Sequence, residues 1–291
     1  MRFKFIENHR SKFSVMKMCK MFGVSRSGYF KWRNHKPSQQ QQRKEEIQER
    51  IKFHYDDSKK RYGSPKITKL LLKENFNITE RTVGKYMKEL GLRSCVSKKF
   101  KVVTTDSNHN HPIAPNILGQ HFNVSKPNKV WVADITYIPC HQGRLYLATV
   151  LDLCTREIVG WRLYDHMTNQ LVLDALNHAY ESKQPGEGLL HHSDRGTQYA
   201  SNDYRGQLKE YKMQASMSRT GNCYDNACAE SFFSILKKEL IQGQRFKTKQ
   251  EAYTEIYQYI EFFYNRKRIH GSIGYVSPAQ YAKQFDTKHL A

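Results

Sequence analysis

The sequence predicts an α/β core built on a central mixed sheet, preceded by all-α helix-turn-helix modules and followed by a C-terminal helical tail. Three observations carry this. Between residues 129 and 164 three runs rich in Val, Ile, Leu, Tyr and Trp are separated by turn residues, and helix and strand patterns alternate after them. Two pairs of short amphipathic helices lie in the first hundred residues. Charge is uneven: residues 1–101 hold 27 Lys and Arg against 9 Asp and Glu, +18 of the net +21, which leaves +3 for the rest. An excess of that size points to a polyanionic partner, nucleic acid before membrane, and places the grip on it in the front third.

Residues 13–33 read as two short helices around Phe22-Gly23-Val24, with Ser25 the N-cap of the second. A glycine turn with apolar flanks lets such helices cross steeply, and the second would offer Arg26, Ser27, Lys31 and Arg33 to DNA. Pro37 and the run Gln39 to Gln42 mark a linker, after which the mixed charges of residues 43–57 suit an exposed helix. A second pair follows: Ser64-Pro65 suits a helix start, Thr79 is a candidate N-cap, and Val83, Tyr86, Met87 and Leu90 keep helical spacing up to Gly91. Its opposite face carries Arg81, Lys85 and Lys88, fit for phosphate contacts. Residues 98–115 have no periodicity and read as a connection between domains.

In the core, strands are predicted at 130–137, 144–154 and 157–164 with a turn at 139–143, then a helix at 169–182, a strand at 189–193, a helix at 203–211, a short strand near 215–218 and a helix carrying Glu230. Strands first, then alternating helices and strands, is the order of a ribonuclease-H-like fold. In the tail, the helical spacing of Ala252, Ile256, Tyr259, Ile260 and Phe263 within 249–268 predicts a long helix that packs beside the Glu230 helix, ends near Asn265 and brings Arg266, Lys267, Arg268 and His270 together. The expected divisions are 1–36 (helix-turn-helix), 37–60 (linker and helix), 61–97 (second module), 98–125 (connector), 126–245 (core) and 246–291 (tail).

Several classes are disfavoured. The longest apolar stretch, 145–153, is interrupted by Asp152 and is far short of the roughly 20 residues that span a bilayer. Residues 1–15 lack the apolar segment of a secretory signal, so a cytoplasmic location is expected. The six cysteines fall at irregular spacings without a C-x-x-C pair and read as reduced structural thiols. His109, His111 and His121 lack further ligands at zinc spacing. No G-x-x-x-x-G-K-[ST] phosphate loop is present, so no nucleotide fuel is implied.

The chemistry is concentrated in three acids. Asp134 lies inside an apolar strand, Asp194 where an apolar run gives way to Arg195-Gly196, and Glu230 on an amphipathic helix whose buried stripe is Ala229, Phe232, Phe233, Leu236 and Leu240; 35 residues separate the second acid from the third. Phosphodiester transfer needs one oxygen activated and another stabilised, which two divalent cations about 3.5 to 4 Å apart achieve. Three carboxylates are the sparse set that Mg2+, or Mn2+, prefers. Lys237, two turns beyond Glu230, would meet the substrate phosphate. Asp152, Asp165, Asp203 and Asp225 compete as carboxylates, Asp225 most seriously. A non-catalytic DNA-binding regulator would need only the basic front third, and a nuclease of the same fold would hydrolyse without joining.

HHSDRGTQYAS, GNCYDNACAESFFSILKKEL, the tail Tyr264-Asn265-Arg266-x-Arg268-x-His270 with Ser277-Pro278, and the front words FSVMKMCKMFGVSRSGYFKW and YGSPKI resemble bacterial transposases of the insertion-sequence-three family, whose core is similar to retroviral integrase. The resemblance covers nearly the whole chain. It implies that Asp134, Asp194 and Glu230 are the catalytic metal ligands for two ions, and that the reaction is strand cleavage followed by transfer of a 3' hydroxyl end. Arg266, Arg268 and His270 would hold DNA near them. The implied partners are double-stranded DNA, as terminal inverted repeats and target, and a second copy of the chain on that DNA. The family's full transposase is commonly made by frameshifting; Met1 and the missing heptad run suit the downstream product, with the upstream product as a further partner. Gly271-Ser272-Ile273-Gly274 departs from the Leu-containing turn usual in the family.

Overall fold

The computed structural model describes residues 1–95, 112–241 and 245–286. The chain divides into two compact units, Met1–Phe53 and His54–Ala291.

The first unit is a three-helix cluster: α1 (Arg2–His9), α2 (Val15–Met21) and α3 (Arg26–Arg33), closed around Ile6, Met18, Cys19 and Tyr29. The expected helix-turn-helix is present. Gly23 takes φ +61 in the turn, and Gly28 N–H donates to Ser25 Oγ at 3.0 Å, the capping bond that stops the chain fraying at α3. Helix α1 was not anticipated, because its charges mask a two-residue apolar contact: Ile6 is buried and Phe3 packs on the same cluster. Helix α4 (Gln39–Asp57) corrects the linker reading of the glutamine run, which forms its first turns. Glutamine is a good helix former, Ser38 Oγ accepts from Gln41 N at 3.2 Å, and Gln41 Nε2 reaches Glu45 at 2.7 Å. The boundary between the two units falls within this helix.

The second unit opens with α5 (Ser64–Lys73) and α6 (Glu80–Glu89), placed as the sequence predicts: Thr79 Oγ1 caps α6 by accepting from Thr82 N at 3.3 Å, Val83 and Met87 are buried, and Gly91 leaves the helix at φ +68. A five-stranded sheet follows in the order β3-β2-β1-β4-β5. Strands β1 (Val130–Cys140), β2 (Gly143–Asp152) and β3 (Ile158–Tyr164) form the antiparallel meander, and β4 (Leu190–Ser193) and β5 (Gln214–Met217) run parallel to β1. The crossovers are α7 (Asn169–Lys183), and α8 (Thr197–Ala200) with α9 (Asn202–Glu210). This mixed sheet with its helices is the ribonuclease-H-like core.

Strand β1 runs through Pro139, where a turn was expected. Strand β4 pairs only with Val130 to Ala133, so β1 has no strand neighbour on that side beyond Ala133, and a residue without an N–H is tolerated there. Pro139 instead accepts through its carbonyl from Phe246 N at 3.2 Å.

One face of the sheet packs Trp131, Ala133, Ala148 and Val150 against Leu171, Val172, Ala175 and Leu176 of α7. Gly160 on β3 is what lets α7 approach: a Cβ there would sit 2.3 Å from Ala175 O and 2.6 Å from Ala179 N. Because those atoms are helix backbone and cannot rotate away, Gly160→Ala is expected to destabilise by about 1–3 kcal/mol or more, read as a lower denaturant midpoint; an unchanged midpoint would contradict the close approach.

The chain then forms α10 (Ala227–Leu236), whose last turns widen over Lys237–Ile241, and α11 (Lys249–Tyr257), which widens over Gln258–Tyr264. Ala252, Ile256, Tyr259, Ile260 and Phe263 are all buried, as their spacing predicts. Tyr264 meets Phe232 of α10 edge-on at 4.8 Å, so the tail does pack beside the Glu230 helix. It ends at Asn265, whose side chain clasps β3 by accepting from Ile158 N and donating to Ile158 O, both at 2.9 Å. Helix α12 (Pro278–Asp286) completes the described chain. The widened turns shift the helical phase, which is why Leu240, expected in the buried stripe, is only half-buried while Ile241 and Glu239 face inward.

Candidate active site

The topology brings the first two acids side by side. Ala133 of β1 is the register partner of Ser193 on parallel β4, so Asp134 and Asp194 are the next residues along two neighbouring strands. Asp194 sits just beyond the C-terminal end of β4, where open α/β sheets place their ligands. Its Oδ1 accepts from Gly196 N at 2.9 Å, and Asp134 Oδ1 accepts from Ile135 N at 2.8 Å. Behind Asp194, His192 is buried between Ser216 and Ser218 at 2.8 and 3.1 Å, and burial pushes its pKa down to about 4, so a neutral ring braces β4 against β5. Glu230 stands on the first turn of α10, and Asn226, at the N-cap of that helix, donates from Nδ2 to Ala133 O at 3.1 Å. That bond ties the helix start to the strand residue preceding Asp134.

Electrostatics link all three acids. Burial raises the Asp134 carboxyl well above the ordinary range, the Asp194 charge adds to it, the Ile135 N–H works against it, and Glu230 contributes a smaller push upward. Glu230 is raised by partial desolvation and then by Asp194. Lys237 is buried with its ammonium 4.5 Å from the centre of the Tyr137 ring; burial lowers its pKa to about 8 while attraction to Asp134 opposes the shift. The rival carboxylates are engaged otherwise. Asp225 is fully buried, takes three hydrogen bonds from Arg219 and further ones from Asn116 and Gln120, and is held well below the usual range, first by Arg219. Asp152 shapes a turn by accepting from Thr155 and Asn128, Asp165 pairs with Lys249, and Asp203 lies in the first turn of α9.

Mutual repulsion among oxygen donors is the condition that a hard divalent cation relieves, so the donor set fits Mg2+ or Mn2+. Among the described residues no group of three or more His, Cys, Asp or Glu side chains is placed to hold a metal ion together. Asp134 and Asp194 follow register partners on adjacent strands, and Glu230 is linked to them through its helix start and the shared electrostatics; carboxylates are the donor type Mg2+ takes, a few at a time with its remaining positions left to water. Of the zinc candidates, His121 shares a hydrogen bond with Leu118 O at 3.0 Å, and His109 and His111 lie outside the described residues.

Comparison with known proteins supplies the family. The integrase core domain profile matches residues 124–223, a second integrase core profile matches 230–285, and an HTH-like domain profile matches 42–100. The chain is 43% identical to the insertion element IS600 uncharacterized 31 kDa protein of Shigella sonnei, covering 92% of this chain and 98% of that one. It is 40% identical, over the full length of both, to transposase InsF for insertion sequence IS3A of Escherichia coli (strain K12). The chain belongs to the IS3 family of transposases. It is a DDE transposase, a polynucleotidyl transferase acting in DNA transposition, and its partner is DNA. Among solved structures it is similar to a chain of the simian T-cell lymphotropic virus intasome (TM-score 0.46, 14% identity, 80% of this chain and 74% of that one). It is also similar to the HTLV-2 integrase catalytic core in complex with magnesium (TM-score 0.42, 15% identity, 54% and 97%).

In this transposase the expected DNA contacts fall into two groups. Arg26, Ser27, Lys31 and Arg33 are exposed on α3, although Arg33 lies 3.5 Å from Glu7, and Arg81, Lys85 and Lys88 are exposed on α6. Arg266 is exposed, stacked 5.7 Å from the Phe262 ring. Arg268 is not on that surface: it is 6% exposed and grips Glu239 with Nε and Nη2 at 2.9 to 3.1 Å. His270 is half-buried, bonded to Ser272, and pushed down to about 4, first by burial and then by Arg268, so it is neutral at pH 7 and offers phosphate no charge. Two residues escaped the sequence reading. Glu239 was not singled out, because a charged residue late in an amphipathic helix carries no signal of burial by itself. Asn226 carried no signal, since an asparagine before a helix reads as an ordinary cap.

No helix among the described residues is long and apolar enough to cross a membrane.

Proposed function

We propose that Asp134, Asp194 and Glu230 are the catalytic carboxylates, holding two Mg2+ or Mn2+ ions, and that the chain cleaves at the ends of an insertion sequence and joins the 3' hydroxyl to target DNA. The observation that carries this is the pairing of Asp134 and Asp194 at neighbouring strand positions with Glu230 and Lys237 in their field. When bound, the cations supply activation of the attacking oxygen and charge stabilisation on the leaving one. The protein's part is to hold the carboxylates in place, close enough that their charges disfavour one another until cations bind. Asn226 fixes the Glu230 helix to β1, the Ile135 and Gly196 N–H groups orient the two Asp side chains, and Lys237 faces the phosphate from beside Asp134. A substrate duplex carrying terminal-repeat ends tests the reading: joined products that need Mg2+ or Mn2+ are expected, whereas nicks without joining would mark a nuclease.

DNA would be held by α3 and α6, with Arg266 near the site, and two copies would act together, since two element ends must be brought to one target. The upstream-frame product is a further candidate partner. Reversing Arg81, Lys85 and Lys88 to Glu is expected to weaken duplex binding strongly and to reduce the salt slope by about three units, roughly one per lost phosphate contact. Salt titration of the folded variant checks it, and an unchanged slope would remove α6 from the interface.

A further inference from the structure

Helix α10 and its widened continuation carry Glu230 at one end and Glu239 at the other. Glu239 is 1% exposed, yet it is surrounded by charge from the segment that precedes the sheet as well as from the tail. Arg268 forks onto its carboxylate, Tyr259 donates to Oε2 at 2.8 Å, and Lys66 Nζ of α5 lies 4.0 Å from Oε1. Arg61, just before α5, donates from Nε to the Glu239 carbonyl at 3.2 Å and lies over the Phe263 ring at 4.2 Å. Its neighbour Tyr62 uses one hydroxyl twice, donating to Lys267 O at 3.3 Å and accepting from Ile269 N at 3.0 Å. Lys73, at the far end of α5, donates to Tyr275 O at 2.8 Å.

The module that holds α6 is therefore built into the body containing the carboxylates. Apolar packing would attach it as firmly, because a buried ion pair gains little over a hydrophobic contact of the same volume. What a forked guanidinium and a shared hydroxyl add is direction: they are satisfied in one relative placement and fail in its neighbours, whereas apolar surfaces can slide. We propose that Glu239 is a positioning residue that locks the α5–α6 module to the catalytic helix, so that DNA gripped on α6 meets the carboxylates at one fixed phosphate. This rests on the functional reading above, and it adds that cleavage position is set by a ruler inside the protein running from α6 through Glu239 to Glu230.

The test uses the full chain, a labelled duplex with the terminal repeat and flanking DNA, and Mn2+, with products mapped at nucleotide resolution. Glu239→Gln keeps the shape and removes the charge, and Tyr62→Phe loosens the same joint without stranding an ion. Both are expected to bind the duplex within about twofold of wild type, since the α6 face is intact. Their nicks should spread over several neighbouring phosphates, with joined product per bound complex falling about tenfold or more, the scale on which small misplacements act. Cleavage confined to the wild-type phosphate at the wild-type rate per folded molecule would overturn the proposal, and if Glu239→Gln does not fold, Tyr62→Phe decides alone. Asp134→Asn, run alongside, separates the two readings: products surviving in it would overturn the carboxylate assignment. A dead Asp134→Asn beside an accurate Tyr62→Phe would overturn only the positioning role.

Discussion

Asp134→Asn, Asp194→Asn and Glu230→Gln are each expected to lower cleavage and joining by about a thousandfold or more, some 4 kcal/mol of barrier, while duplex binding stays near wild type. Each swap keeps the side chain's shape and removes the charge that would hold a cation. The structure adds a second readout. Burial and Asp194 raise the folded Asp134 carboxyl well above its unfolded value, so the folded state binds the proton more tightly than the unfolded one. Without cations, the contribution of this group to stability is therefore greatest below the ordinary carboxylate range and is lost as pH rises toward the raised value; by neutral pH it has become a cost. Asp134→Asn should then melt higher than wild type in chelator at pH 7, and the difference should vanish in acid. Adding Mg2+ or Mn2+ should stabilise wild type, by about 2.7 kcal/mol at a hundred times the dissociation constant, and leave the variant unmoved. A variant that is active, or that responds to cations as wild type does, would remove Asp134 from the site.

Arg268→Ala is expected to unfold rather than to disarm. Sequence alone suggested a DNA contact whose loss would spare stability; the buried fork onto Glu239 reverses that expectation. Truncation takes the forked guanidinium from a carboxylate that is itself 1% exposed, and breaking a buried pair in this way costs about 3–5 kcal/mol. For a domain of this size that is roughly a 10 °C fall in melting temperature. Arg268→Ala combined with Glu239→Leu should recover part of the loss, because the stranded charge is gone. A melting temperature within 2 °C of wild type, a shift worth about 0.5–1 kcal/mol at this size, would show that the pair contributes little.

How legible the molecule was depended on whether the deciding contact was local. Strand alternation and the caps Ser25 and Thr79 are properties of short windows, so the sheet, both helix pairs and the crossovers were readable to within a few residues. Asp134 and Asp194 were grouped by their settings and by the family resemblance, and the Ala133 to Ser193 register brings their strands side by side. The glutamine run was misread because low complexity suggests a linker while glutamine's backbone preference is helical. Arg268 and His270 were misread, and Glu239 was passed over, for one reason. Their places depend on a phase shift made by widened turns and on contacts distant in sequence, Arg61 to Glu239 across 178 positions among them, and no window of sequence contains both. Lys237 was half legible: its spacing from Glu230 suggested a place near the site, and only packing on Tyr137 shows that it is buried there.

The widened turn at Lys237–Ile241 also changes which genetic lesions this helix should resist. A regular helix tolerates most single substitutions on its outer face but is scrambled by an indel, which rotates everything downstream. Here the helix already holds the equivalent of one inserted residue, and the inward aim of Glu239 depends on keeping it. Removing a codon between 237 and 241 would restore ordinary winding and turn that carboxylate away from Arg268, although Asp134, Asp194 and Glu230 would all remain encoded. In divergent relatives, the count of residues from the glutamate matching Glu230 to the one matching Glu239 should therefore be kept more strictly than the identities between them.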